Sequence, residues 1–164
     1  MLTRAAVPSD LPALLDVQQA GALRALAHIF PQDAFPFPRA AIQARWESEI
    51  ADPDVDVYVI APDEGRIEGF AAIRGDELLH FGTAVETWGT GLAMTVHREL
   101  VDRLTAAGRT RARLRVFEEN RRARRFYEKA GWRCTGRPSR SAFPPYPALV
   151  EYEVDLQVPG SGNG

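Results

Sequence analysis

Two glycines, Gly89 and Gly91, lie in a short segment that joins a predicted strand to a predicted helix. Glycine lets the backbone approach a ligand closely, and the first N–H groups of a helix have no partners within it. Together these features form a site for phosphate, and a pyrophosphate is the expected ligand. Turns of this kind also occur for tight packing alone, so phosphate binding needs a second signal.

Two common phosphate-binding motifs do not fit this segment. A dinucleotide fingerprint G-x-G-x-x-G needs glycine where Met94 stands, and the chain has no G-x-x-x-x-G-K-[ST] string. The sequence therefore supports neither a Rossmann dehydrogenase nor a P-loop NTPase.

A second candidate segment runs from Asn120 to Trp132 and contains Tyr127. At helical spacing its arginines lie largely on one face, and the opposite face carries Ala123, Phe126, Tyr127 and Ala130. Asn120 is a suitable N-cap for this helix. Taken alone, the pattern also describes an ordinary amphipathic helix with a solvated basic surface.

At this spacing the two segments resemble the GNAT superfamily of N-acetyltransferases, which act on ribosomal proteins and small amines among other acceptors. Asn120 and Tyr127 match the family pattern N-x-x-A-x-x-x-Y-x-x-x-G-[FW] residue by residue, and the close match covers Leu78 to Arg137. The resemblance implies an α/β fold: a mixed, mostly antiparallel central sheet flanked by helices, with a parallel β-α-β core.

The resemblance also implies a function, the transfer of acetyl from acetyl-CoA to a primary amine of a small molecule or peptide, by direct attack in a ternary complex. The strand residues that would hold the pantetheine arm are Phe81, Gly82 and Thr83. The turn residues that would hold the pyrophosphate are Gly89, Thr90, Gly91, Leu92, Ala93 and Met94. Asn120 is expected to bind the cofactor as well, and Tyr127 stands at the family position of the proton donor to the departing thiolate.

Attack on the thioester needs a neutral amine, and a lysine-like amine with a pKa of about 10.4 is only a few parts in ten thousand neutral at pH 7. Candidate general bases beside the cofactor strand are His80, Asp76 and Glu77. His80 ranks first, because an ordinary histidine has a pKa near the working pH and because strand parity places it on the face of Leu78. A water relay could replace any single base.

The chain departs from the family pattern at three positions. Glu86 and Trp88 precede the glycines where the family usually has Arg or Gln, and an acidic side chain there weakens pyrophosphate binding unless it points away. Arg115 stands where some relatives keep a glutamate as general base. A base, if one is used, must therefore come from elsewhere.

Two other classes of protein remain open. One is a catalytically silent CoA-binding sensor domain. The other is a nucleic-acid-binding module, since residues 109–140 carry a local charge of +9 in a chain of net charge −2. No base-stacking aromatics are interleaved with those arginines, which makes nucleic acid the weaker alternative. The same asymmetry suggests a basic face for an anionic partner and an acidic face that could attract a cationic substrate.

The elements that must position these residues follow the order β-α-α-β-β-β-α-β-α-β-β. The unit from Leu78 to Val116 must be a parallel crossover, because a helix separates its two strands. An aromatic loop from His28 to Pro38 is a candidate substrate wall, and Pro144-Pro145-Tyr146-Pro147 is expected at the same entrance.

The bulk composition fits a single domain over residues 1–158, with residues 159–164 expected to be disordered. No apolar run approaches the length of a membrane span, so a cytoplasmic protein is expected. Three histidines and one cysteine make a metal cluster improbable, and Cys134 is expected in the core. The oligomeric state stays open, with a homodimer as one option.

Overall fold

The computed structural model of the protein describes residues 1–63 and 65–157, so the expected disordered tail at 159–164 lies outside the described residues. The strands are β1 (Thr3–Ala5), β2 (Val55–Ile60), β3 (Gly69–Arg74), β4 (Glu77–Thr83), β5 (Arg111–Phe117), β6 (Arg133–Arg140) and β7 (Ala148–Asp155). The α-helices are α1 (Leu11–Ala25), α2 (Arg39–Ala51), α3 (Leu92–Ala106) and α4 (Arg121–Lys129).

All seven strands described belong to one sheet, in the order β1-β2-β3-β4-β5-β7-β6. Every neighbouring pair is antiparallel except β4 and β5, which are parallel and connected through α3. The predicted α/β fold, with a mostly antiparallel sheet around a parallel β-α-β core, is therefore confirmed.

Alternate residues of the sheet face two separate cores, as the two-residue period of a strand requires. Ala71 and Ile73 of β3 pack with α3 and α4, whereas Phe70 and Ala72 pack with α1 and α2. In the first core α3 contributes Val96, Leu100 and Leu104, and in the second α2 contributes Ile42 and Trp46. The helices thus flank both faces of the sheet.

The arginines of β5 face away from the α3–α4 core and are largely neutralised by acidic neighbours. Arg113 binds Asp76 and Glu77 at 3.1 and 3.3 Å, and Arg115 binds Glu77 at 3.2 Å. Arg111 binds Glu153 of β7 at 3.5 Å. Part of the positive charge in residues 109–140 is therefore balanced within the sheet, which weakens the case for a nucleic-acid surface.

The expectation for Cys134 is wrong, because this residue is exposed on β6. β6 is the last strand of the sheet, and most of its residues are exposed. An edge strand with so little cover buries few of its side chains, whatever their polarity.

A β-bulge interrupts β4 at Leu79. Ile73 of β3 pairs with Leu78 and the next residue, Ala72, pairs with His80, so Leu79 is the extra residue. A bulge bends its strand and places two successive side chains on one face. Pairing of β4 with β5 is confined to Glu77 with Arg113 and Leu78 with Leu114, and thus ends just before the bulge.

Beyond Leu78 the two parallel strands separate, and the β5-facing backbone edge of β4 from Leu79 to Thr83 has no strand partner in the described structure. This opening positions the candidate site.

None of the helices that the structure describes is both long enough and apolar enough to cross a bilayer. In the same residues, no group of three or more His, Cys, Asp or Glu side chains is placed to hold a metal ion.

Candidate functional site

A cavity of about 700 Å³ fills the opening between β4 and β5. Its lining includes residues from the segments that the sequence singles out, among them Phe81, Gly82, Thr83, Trp88, Ala93, Asn120 and Tyr127. The other turn residues do not line it; among these, Gly89, Thr90 and Gly91 are exposed next to Trp88 and Ala93. The structure therefore brings the two sequence segments together around one space.

On β4, Gly82 makes room for the ring of Phe70. A Cβ atom at this position would lie 2.5 Å from Cζ of Phe70 on the neighbouring strand, which is closer than side chains allow. The Phe70 ring thus covers the space that a side chain at position 82 would fill. Because Phe70 lines the cavity as well, a larger residue here would displace part of its wall.

The turn before α3 has backbone dihedral angles that glycine adopts without strain. Gly89 and Gly91 have φ values of 83° and 90°, a region that residues with a side chain adopt only with strain. The N–H groups of Gly91, Ala93 and Met94 have no hydrogen-bond partner among the described residues. Such free N–H groups at the start of a helix favour an anion.

Trp88 and Glu86, two of the three departures from the family pattern, lie just before the glycine turn. Glu86 is exposed, approaches Arg66 at 3.9 Å and does not line the cavity, so it points away from the turn. The Trp88 indole N–H donates to the Thr83 carbonyl at 3.0 Å. The guanidinium of Arg122 lies over the Trp88 ring, and partial burial lowers the pKa of Arg122. A cation from α4 is thus held beside the glycine turn.

Asn120 caps α4, as the sequence predicts. Its Oδ1 accepts a hydrogen bond from the Ala123 N–H at 3.2 Å. The side-chain amide nitrogen makes no hydrogen bond within the described residues, and the residue lines the cavity. Asn120 can therefore cap its helix and still offer a donor to a ligand.

Tyr127 lies on the buried face of α4 and forms part of the cavity wall. Its ring packs against Phe126 and Trp132 at centroid distances of 5.3 and 5.7 Å. Burial raises the pKa of Tyr127, and its hydroxyl has no hydrogen-bond partner in the described part of the chain. A protonated phenol is therefore available as a donor within the cavity.

The three candidate bases do not line the cavity. The parity argument for His80 is wrong, because the bulge at Leu79 moves His80 to the face opposite Leu78. Nε2 of His80 lies 3.0 Å from Oε1 of Glu49 on α2, and its ring packs at 4.8 Å on Trp46. Asp76 and Glu77 are engaged by the β5 arginines described above. Any role for His80 as a base would have to be indirect, through water.

The predicted aromatic wall lies at the cavity. Phe30, Phe35 and Phe37 of the α1–α2 loop line it, as do Phe143 and Pro144 at the β6–β7 connection. Of the Pro144–Pro147 segment, only Pro144 lines this cavity. No pattern in the sequence indicates the contribution of α1 and α2, which supply Gln18 and Arg45 to the lining.

The charges around the cavity have one sign. Its charged lining residues are Arg45, Arg122, Arg125 and Lys129. No Asp, Glu or His from the described ranges lines it. Arg124 is occupied elsewhere, since it donates to the Tyr152 hydroxyl at 3.0 Å and to the Glu118 carbonyl at 2.9 Å. The suggested acidic face for a cationic substrate is therefore not at this cavity.

Comparison with known proteins agrees with this geometry. The model of the acetyltransferase (GNAT) family matches residues 22–132, whereas a comparison with curated proteins found no match. The ribosomal-protein-S18-alanine N-acetyltransferase of Escherichia coli aligns with a TM-score of 0.69 at 18% identity, covering 99% of this chain and 97% of that one.

Two further solved structures have the same fold. The PaiA N-acetyltransferase of Thermoplasma acidophilum in complex with coenzyme A has a TM-score of 0.71 at 16% identity, covering 94% of this chain and 98% of that one. The spermidine N-acetyltransferase of Vibrio cholerae in complex with CoA and spermine has a TM-score of 0.70 at 16% identity, covering 94% of each chain.

Proposed function

Because the chain belongs to the acetyltransferase (GNAT) family, we propose that it transfers the acetyl group of acetyl-CoA to a primary amine by direct attack in a ternary complex. The observation that carries the proposal is the opening between β4 and β5, with a glycine turn beside it and Tyr127 in its wall. Two relatives named above acetylate spermidine and a ribosomal-protein alanine, which supports N-acetylation in general without selecting the acceptor.

The turn from Gly89 to Met94 would hold the pyrophosphate of acetyl-CoA. The free N–H groups in this turn supply donors, and Arg122, Arg125 and Lys129 supply positive charge from α4. The lack of acidic lining residues in the described structure favours an anion over the whole cavity. These features fit a ligand with several phosphate groups.

The unpaired edge of β4 at Phe81, Gly82 and Thr83 would hold the pantetheine arm. An amide-bearing chain can add to an exposed strand edge through main-chain hydrogen bonds, as a further strand would. Acetyl-CoA supplies the activated thioester. A backbone N–H of the same edge is suited to stabilise the oxygen that becomes negative when the amine attacks.

Tyr127 would serve the sulfur when the carbon–sulfur bond breaks. Its phenol is protonated at neutral pH, and burial raises its pKa further, so it stays protonated over the ordinary assay range. A weaker acid than a thiol transfers its proton only in part. We therefore assign Tyr127 a hydrogen bond to the developing thiolate.

Deprotonation of the amine would depend on the cavity as a whole. Partial burial and nearby cations both disfavour a bound ammonium ion and lower its pKa. No carboxylate or imidazole of the described residues lines the cavity to accept the proton directly. The proton would leave through water, toward solvent or toward His80 and Glu49 on the α2 side of β4.

The proposal is tested by a thiol-release screen of the full chain with acetyl-CoA and a broad panel of amines. Thiol release should occur with a subset of amines, and mass spectrometry should find each consumed amine heavier by one acetyl group. Acetyl-CoA binding without thiol release for any amine would contradict the proposal. That result would favour a CoA-binding sensor domain, which also fits the finding that no carboxylate or imidazole of the described residues lines the cavity.

A further inference from the structure

Arg45 is a cation in the cavity wall without a bound counter-charge. It lies on α2, its Nε atom is buried, and no hydrogen bond or ion pair to it forms within the described residues. Its guanidinium lies 5.4 Å from the centre of the Phe143 ring. A buried donor normally has a partner, so an unpartnered guanidinium beside a cavity indicates a ligand.

The acidic side chain one helical turn beyond Arg45 does not bind this guanidinium. Oε1 of Glu49 is 3.0 Å from Nε2 of His80, and its Oε2 is buried and makes no hydrogen bond within the described residues. Burial lowers the pKa of Arg45, and Glu49 raises it by a smaller amount. Glu49 thus favours a charged guanidinium without occupying its donors.

Arg45 lies on a different side of the cavity from the cations assigned to CoA. Arg122, Arg125 and Lys129 belong to α4, which packs on one face of the sheet, whereas α2 packs on the other. Several apolar residues that line the cavity belong to the core on the α2 face or pack against it: Phe37, Ile42, Phe70 and Phe143. A second anion-binding position therefore exists in an apolar, aromatic setting.

We propose that Arg45 binds a carboxylate of the acceptor, whose apolar or aromatic body packs against the phenylalanines. The acceptor class is an apolar amino acid or a similar amino carboxylate, not a polyamine. This assignment rests on the proposed function, in which acetyl-CoA occupies the α4 side of the cavity. A guanidinium binds a carboxylate through two parallel hydrogen bonds, which fixes the orientation of the ligand as well as its charge.

The same arrangement discriminates against cationic acceptors. A polyamine would bring additional positive charges next to Arg45, and the described cavity lining offers no carboxylate to bind them. A carboxylate on the acceptor removes this charge repulsion, because it neutralises Arg45. The amine of such an acceptor still lies in a partly buried site that disfavours its charged form.

The test measures binding and requires no turnover. N-acetyl-L-phenylalanine and N-acetylphenethylamine, which differ only by the carboxylate, are titrated into the CoA-saturated protein. The parent should bind the carboxylate compound about 10- to 100-fold more tightly, the range expected for hydrogen bonds between charged groups. In Arg45→Gln the two affinities should become nearly equal, and Arg45→Lys should retain part of the preference.

Arg24→Gln is the matched control, because Arg24 is an exposed arginine on the adjacent helix α1 and does not line the cavity. It should keep the full preference. Equal affinities in the parent, an unchanged preference in Arg45→Gln, no binding of either compound, or tighter binding of spermidine would each overturn the proposal. If Arg45→Gln does not fold, the parent comparison decides alone. If the parent prefers the carboxylate compound but the thiol-release screen finds no acetyl transfer, the proposed function is contradicted. The assignment of an amino carboxylate as the ligand of Arg45 would still stand.

Discussion

The guanidinium carbon of Arg122 lies 3.7 Å from the centre of the Trp88 ring, which connects α4 to the segment before the glycine turn. Trp88 is one of the departures from the family pattern named above, and its ring holds an arginine from another element. A stacked guanidinium keeps its hydrogen-bond donors at the ring edge free for phosphate. Trp88 thus holds a cation of α4 beside the glycine turn.

We expect Arg122→Gln to weaken acetyl-CoA binding about tenfold, because a charge-assisted contact to phosphate is lost. Arg121→Gln is the matched control, since Arg121 is the exposed neighbour and does not line the cavity. Isothermal titration calorimetry on both folded variants measures the difference. Equal affinities for the two variants would remove Arg122 from the phosphate site.

A second expectation concerns the glycine turn. Thr90→Asp places a negative charge at the start of α3, where it should stabilise the helix and repel pyrophosphate. Acetyl-CoA affinity should fall at least tenfold while the midpoint of thermal unfolding stays the same or rises. Gly91→Val should also weaken binding, but its φ of 90° strains a β-branched residue and lowers stability as well.

Ser9→Asp is the control for Thr90→Asp, because it adds the same charge just before α1, away from the cavity lining. Calorimetric titration should show parental acetyl-CoA affinity for Ser9→Asp. If Thr90→Asp binds acetyl-CoA as tightly as this control, the pyrophosphate does not lie on the turn.

The order of elements and the local conformation of the Gly89–Met94 turn and of the α4 N-cap were predictable from sequence, because local patterns set both. Turn glycines, an N-cap at Asn120 and alternating apolar residues depend on near neighbours in the chain. The face of His80 was not predictable, since the bulge at Leu79 exists only through pairing with β3. The alternation of side chains between the two faces holds only in a regular strand. One extra residue reverses the face of every residue that follows it.

The position of Arg45 in the cavity could not be predicted from sequence for a different reason. On α2 it stands between Ile42 and Glu49 at helical spacing, which describes a residue at the border of a buried face equally well. Its place in the cavity depends on how α2 packs beside the β6–β7 connection and Phe143. That contact joins residues about a hundred positions apart, which no local pattern encodes.

The buried pair of His97 and Trp132 predicts a pH dependence of stability. Trp132 Nε1 donates to His97 Nε2 at 2.9 Å, Nδ1 of His97 is buried without a partner, and burial lowers the pKa of His97. Below the unfolded-state pKa of about 6.5 the unfolded chain binds more protons than the folded one. The free energy of unfolding should therefore fall as the pH drops below about 6.5, with no contribution above about pH 7.5.

His97→Gln keeps a hydrogen-bond acceptor for Trp132 and removes the imidazole that can take up a proton. Urea unfolding of parent and variant at pH 5, 6, 7 and 8 gives the difference in unfolding free energy, in which the other titrating groups cancel. This difference should shrink toward pH 5, by at most about 1.4 kcal/mol per pH unit. A constant difference over this range would show that His97 does not take up a proton on unfolding.

The role of Tyr127 is the most direct test of acetyl transfer in the β4–β5 opening. Tyr127→Phe removes a hydroxyl without a hydrogen-bond partner in the described structure, so folding should lose no more than about 1 kcal/mol and acetyl-CoA affinity should change little. The measurement is single-turnover acetyl transfer, by rapid quench, to the best amine from the thiol-release screen. We predict a chemical rate about 10²- to 10⁴-fold below that of the parent. Transfer at the parental rate under chemistry-limited conditions would contradict this mechanism and leave Tyr127 as a residue of the core.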